Sequence, residues 1–143
     1  MMFLGSEAIL IYHIAFCSIM VGVIWLIQLV HYPAFHFIEE SKYVLFQKFH
    51  MERISVIVIP AMSLELLSGV LIFIYRPKGI DYFLISMIIL FTIWVITAAY
   101  FARSHQTLLN GYNKRKVVSL VKMNWIRTFL WTLRLVILMI GLN

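Results

Sequence analysis

Three charged side chains, Glu65, Arg127 and Arg134, stand inside long apolar runs of this chain, Glu65 in the second run and both arginines in the last. A charge at mid-bilayer costs roughly 2.5–3.5 kcal/mol even on the lenient insertion scale, so each requires a partner or a polar cavity. Asn124, Arg127, Trp131 and Arg134 follow one another at spacings of three, four and three residues and therefore share one helix face. The two arginines lie two turns, about 10 Å, apart. Arginine keeps its charge in any environment, so this face needs an anion. Glu65 is the acidic residue that a span supplies. It lies about 18 Å along the helix from Arg53, and Arg134 about 21 Å from Leu120. The matching depths predict a structural ion pair, Glu65 with Arg134. Arg127 is shallower and has no such carboxylate. Beside Asn124 and Trp125, it suits a carboxylate, a phosphate or a haem propionate; the alternative is snorkelling towards the headgroups.

A second constellation lies on the first apolar run. His13, Cys17, Met20, Ile24, Gln28 and His31 recur every three or four residues and form one stripe. A lipid-facing stripe does not collect histidines, a thiol and an amide, so this one should face the bundle interior. His13 and His31 are five turns apart, roughly 27 Å, and cannot share one metal ion. They could act as axial ligands or proton-relay groups at two separate sites. The plainer alternative has His13 hydrogen-bonded to a neighbouring helix and His31 at the membrane interface. His13, Cys17 and Met20 also have the soft character that Cu(I) favours, although Met and Cys are ordinary packing residues as well.

His31, His36, His50 and His105 map to one end of the spans, where imidazoles could ligate haem or a metal. His50 and Arg53 are one turn apart and form the best-specified pair of that group. No spaced zinc motif such as H-E-x-x-H occurs, and no metal site is expected. Nor is there a nucleophile-plus-base arrangement, a Gly-rich phosphate loop or a carboxylate dyad, so no catalytic residue is assigned. Cys17 is the sole cysteine, which excludes an intrachain disulfide.

The elements that must position these residues follow from composition. Of 143 residues, 63% are hydrophobic and 13% charged. So small a soluble domain could not bury that much apolar surface, so residues 1–143 read as a single all-α integral membrane domain. Four runs reach spanning length, at about residues 8–30, 54–75, 82–101 and 117–141. The second carries Pro60 and Gly69, which predict a bent helix closely approached by a neighbour. It ends at the breaker cluster Arg76-Pro77-Lys78-Gly79. The stretch from Pro33 to Arg53, with Ser41 as candidate cap, reads as an amphipathic helix on the membrane surface or an extension of the second span into water. The third helix could run on to about Leu109. The start lacks Lys and Arg, its apolar run exceeds a signal h-region, and no A-x-A-like site follows; it is expected to stay as the first span.

The net charge of +6 would suggest nucleic acid in a soluble chain. Here the basic residues gather at span ends, the ordinary topogenic pattern, and no nucleic-acid partner is expected. The first and third connections and the start of the fourth span carry Lys42, Lys48, Arg53, Arg103, Lys114, Arg115, Lys116 and Lys122. The positive-inside rule puts these connections in the cytoplasm and both termini outside, which predicts an up-down four-helix bundle.

Gln28-Leu29-Val30-His31-Tyr32-Pro33, His50 to Arg53 with Pro60-Ala61-Met62, Glu65 and Gly69, and Asn124-Trp125-Ile126-Arg127-Thr128 with Trp131 and Arg134 resemble a group of small four-helix bacterial membrane proteins without an assigned activity. That resemblance spans most of the chain and implies a multi-pass protein of the bacterial inner membrane. His13, Trp25 and an arginine followed by Pro60-Ala61-Met62 are also distantly similar to the HemJ-type protoporphyrinogen oxidases, which bind haem. That family has a lysine near its third helix, where this chain has none in the span and Lys78 outside it. What the resemblance implies is therefore haem binding more than the oxidase reaction.

The leading expectation is a cofactor-binding membrane redox protein, with haem b as candidate group and His13, His31, His50, Arg53, Asn124 and Arg127 as candidate cofactor-binding residues. The alternative is a non-enzymatic transporter accessory subunit or small-molecule binding module, with Glu65, Arg127 and Arg134 as a structural network. The expected partners are the lipid bilayer, an anionic small molecule or haem, and further copies of the chain. A transporter role would need such a homo-oligomer, since four helices leave little room for alternating access.

Overall fold

A computed structural model describes residues 2–75 and 81–142. Among the described residues the chain is helical and contains no strand. Four rods, Glu7–Phe37, Glu40–Tyr75, Tyr82–Leu108 and Lys114–Ile140, are each long and apolar enough to cross a membrane. Many of their large apolar side chains face outward, among them Ile11, Leu29, Val56, Ile59, Ile88, Phe91 and Phe129. In water that surface would be prohibitive; in hydrocarbon it is the solvent-matched face. The protein is a multi-pass membrane four-helix bundle.

The stretch between the first two spans does not lie flat as a separate helix. The second rod is one continuous helix of 36 residues, Glu40–Tyr75, so residues 40–53 extend that span, while residues 33–37 continue the first rod. Its buried positions, including Tyr43, Gln47, His50, Ala61, Glu65, Ser68 and Ile72, run along one inward stripe. The helix starts at Glu40, which places Ser41 inside its first turn rather than at the cap. Pro60 lies within the helix without ending it. Its missing N–H frees one carbonyl, a defect helices tolerate inside membranes when local adjustment satisfies the freed group. The breaker cluster Arg76-Pro77-Lys78-Gly79 lies outside the described residues.

The third rod does run past residue 101, to Leu108. The fourth begins one residue after Asn113, whose side chain accepts a hydrogen bond from the Lys116 amide at 3.0 Å, an N-cap that satisfies an orphan donor. Two rods contain π-helical segments, Ile27–His31 in the first and Thr97–Ala102 in the third. Such wide turns are uncommon and recur at functional sites.

The first rod packs against the second and the fourth, and the fourth against the third. Going round the bundle, the order is therefore second, first, fourth, third. The second and third rods approach each other chiefly at the end of the basic connections, through Arg103–Leu108. The core is in two parts. One gathers Cys17, Met20, Ile24, Met62, Ile72, Phe83, Ile93, Trp131 and Leu138. The other, at the basic end, gathers Ile27, Tyr32, Phe35, Tyr43, Phe101, Leu108, Val117 and Leu120. Each part holds its own polar network.

Candidate functional site

The network in the first core is closed. Glu65 and Arg134 are each 0% exposed and form an ion pair through Arg134 Nη1 and Glu65 Oε1. The other Glu65 oxygen accepts from Trp131 Nε1 at 3.3 Å. Arg134 Nε donates to the Ser86 carbonyl at 3.1 Å, and Nη2 to His13 Nε2 at 2.6 Å. Ser68 Oγ donates to the Glu65 carbonyl at 3.0 Å, so its lone pair accepts from His13 Nδ1 at 2.9 Å. This sequence of donors fixes His13 as the neutral tautomer with its proton on Nδ1. Gly69 makes room for the ring: a Cβ there would stand 2.9 Å from His13 Cε1. One positive and one negative charge cancel, and every named polar atom has a partner.

The second network is open. Arg127 is 6% exposed. Its Nε donates to Asn124 Oδ1 at 3.1 Å, and Nη1 reaches Thr97 Oγ1 at 3.4 Å. Asn124 Nδ2 in turn donates to Gln28 Oε1 at 2.9 Å, and Gln28 Nε2 to the Val121 carbonyl at 3.4 Å. The guanidinium carbon sits 3.8 Å from the Phe101 ring centroid, a cation–π arrangement that holds the plane in place. Among the described residues the ion pairs are Arg134 with Glu65 and Lys42 with Glu39, and neither involves Arg127. All the acceptors that hold Arg127 are neutral.

Three imidazoles share this end. His31 Nε2 and His50 Nδ1 are 2.5 Å apart, with the rings stacked at 4.3 Å. The His50 and His105 centroids are 5.2 Å apart. Gln47 Nε2 donates to His105 Nδ1 at 2.8 Å, which leaves His105 Nε2 to donate to the Tyr32 hydroxyl at 3.1 Å. Tyr32, His50, His105 and Arg127 all border a cavity of about 250 Å³, together with Thr97 and Phe101. Both π-helical segments contribute to its wall, through Ile27 on one side and Thr97, Phe101 and Ala102 on the other.

Of the residues singled out from the sequence, the structure brings together His31, His50, Asn124 and Arg127, with His105 joining them. His13 belongs instead to the closed network. Arg53 also stands apart: it is exposed and lies over Phe49, 5.5 Å from the ring, while His50 one turn earlier points inward. The face shared by His50 and Arg53 on a helical wheel is thus split between interior and surface. His36 is exposed. Gln47 and Thr97 join the site from outside any sequence motif, and Tyr32 enters it from the string Gln28 to Pro33. Gln47 and His50 with Tyr43 follow the inward spacing of the second rod, a signal that was present but is common. Tyr32 and Thr97 owe their placement to the π-helical turns, which no residue pattern announces.

The residues present do not fit haem. Both ring nitrogens of His13 are engaged within the closed network, so neither has a lone pair free for iron. The cavity beside His50 and His105 falls below the roughly 300–1,000 Å³ of clefts that bury drug-sized molecules. Among the described residues no group of three metal-ligating side chains of the His, Cys, Asp and Glu types is poised around one point. A small anion or the charged head of a larger molecule does fit. Comparison with protein-family models, with curated proteins and with solved structures finds no match to this chain.

Proposed function

We propose that this protein is a binding module of the bacterial inner membrane that holds a small, singly charged anionic group against Arg127. The observation that carries this reading is a buried guanidinium that borders a cavity and has no carboxylate among the described residues to neutralise it. Isolated buried charges are costly, and a bound anion would remove that cost with charge-assisted hydrogen bonds of the planar, two-pronged kind that arginine favours. Asn124 and Gln28 orient the guanidinium, Phe101 supports its face, and Thr97 with the imidazoles supplies neutral polar contacts. The net charge of the site calls for one negative charge rather than two.

The test is thermal stability of the purified protein in a neutral detergent with a series of sodium carboxylates from butyrate to palmitate. Ligands that bind the folded state raise the midpoint. At one chain length or more, wild type should be stabilised relative to a sodium chloride control and Arg127→Gln should not. Equal shifts in the two proteins, or no shift at any chain length, would overturn the assignment.

A further inference from the structure

We infer that the anionic group is the head of a single-chain amphiphile, a long-chain carboxylate in chemical class, whose tail leaves the site sideways between the second and third rods. This rests on the anion site proposed above and specifies what occupies it.

The cavity gathers its charged and imidazole groups on one side and is mostly apolar elsewhere. Arg127, His50, His105, Tyr32 and Thr97 border it on one side, and the rest is mostly apolar, Ser55 and Gln106 excepted, with Ile54, Val58 and Ile59 from the second rod and Phe101 and Ala102 from the third. Its rim is on the bundle's outside. Ile59 is 60% exposed, and Ala102 and Gln106 are also exposed, so the opening faces the same medium as the lipid-facing side chains. The packing order explains the gap. The second and third rods are the two ends of the row, joined chiefly at the basic end by Arg103–Leu108, whose His105 and Gln106 close the cavity on that side. A ligand that reaches Arg127 through this opening comes from hydrocarbon, and one whose tail stays there need not desolvate it.

Size and charge narrow the class. About 250 Å³ takes a carboxylate with the first part of one chain, not a glycerol-linked head with two chains. One guanidinium with neutral imidazoles and a hydroxyl balances one negative charge. The amphipathic form matches the amphipathic cavity: charge on arginine, methylenes on valine, isoleucine and phenylalanine.

The experiment uses the full chain in phosphatidylcholine nanodiscs with a palmitate analogue that carries a photoreactive diazirine in mid-chain. Label should map to the second and third rods around Val58, Ile59 and Ala102. Unlabelled palmitate should compete strongly and butyrate weakly. Arg127→Gln should lower the labelling about tenfold or more, the effect of losing one charged hydrogen-bond pair. Ala102→Leu, an exposed change at the rim, should lower it while thermal stability of the unliganded protein stays the same. Butyrate competing as well as palmitate would overturn the amphiphile and leave the anion site standing. Label spread evenly over all outward faces, or displaced by phosphatidylglycerol and not by palmitate, would also overturn it. Labelling unchanged in Arg127→Gln would remove both the anion site and the inference built on it.

Discussion

Arg134 and Arg127 are two arginines on one helix face, both buried, and they sit in opposite circumstances. Arg134 has a carboxylate, a carbonyl and an imidazole, and its charge is cancelled inside the protein. Arg127 has an amide, a hydroxyl and an aromatic face, all neutral, and borders a cavity. A closed network of the first kind holds helices in register: it ties the first, second, third and fourth rods through His13, Glu65, Ser86 and Arg134. A network of the second kind positions a charge without neutralising it. Burial alone therefore does not make a charged residue functional; what matters is whether the protein itself completes its partners.

The contrast can be broken at several points, and the closed network should react most. Glu65→Gln leaves Arg134 buried without its anion and should destabilise the fold by about 3–5 kcal/mol. Combining it with Arg134→Gln should cost less than the sum of the two single changes, read by equilibrium unfolding in detergent; strict additivity would dissolve the pairing. Next in size, His13→Ala removes an acceptor from Arg134 and a donor to Ser68, with an expected loss of about 1–3 kcal/mol. It should leave carboxylate binding unchanged. A Soret band in protein expressed with ample haem, lost on His13→Ala, would show the histidine serving iron and end the distinction.

The open network should show the reverse pattern. Arg127→Gln should lower carboxylate affinity about tenfold or more yet change stability by less than about 1 kcal/mol, because the hydrogen bonds it gives up are offset by relief of the cost of an unneutralised buried charge. A loss comparable to that of Glu65→Gln would mean that Arg127 is structural after all. The smallest effect belongs to Asn124→Ala, which frees the guanidinium from its orienting amide. Carboxylate affinity should fall about fivefold, the worth of roughly one hydrogen bond, with Arg127 still present.

Much of the bundle was legible in the sequence because membrane spans are governed by strong, simple rules. Length, apolarity and the three-to-four spacing of His13, Cys17, Met20, Ile24 and Gln28 all correspond to the observed buried stripe. Counting depth along helices was enough to set Glu65 opposite Arg134, since a buried charge has few alternatives. The site was less legible. His50 and Arg53 share a face on paper, but a helix that emerges from the membrane can turn one neighbour inward and leave the next in solvent. Position along the chain drew His13 into the proposed ligand set, yet its partners come from the second and fourth rods, which no local pattern could reveal. Tyr32 and Thr97 depend on departures from the regular α-helix.

Those departures, the π-helical turns at Ile27–His31 and Thr97–Ala102, also act as phase shifters. Each residue of an α-helix turns the chain by about 100°, so an uninterrupted helix would carry one fixed angular relation from His13 to Tyr32 and from Phe83 to His105. A wider turn inserts a rotation without adding a loop. The outer half of each rod can then satisfy the closed network while its basic half is aimed separately at the cavity. Forcing either turn into regular α-helix with every residue retained would swing everything beyond it by about 100°. The ion pair would survive, and the site would come apart.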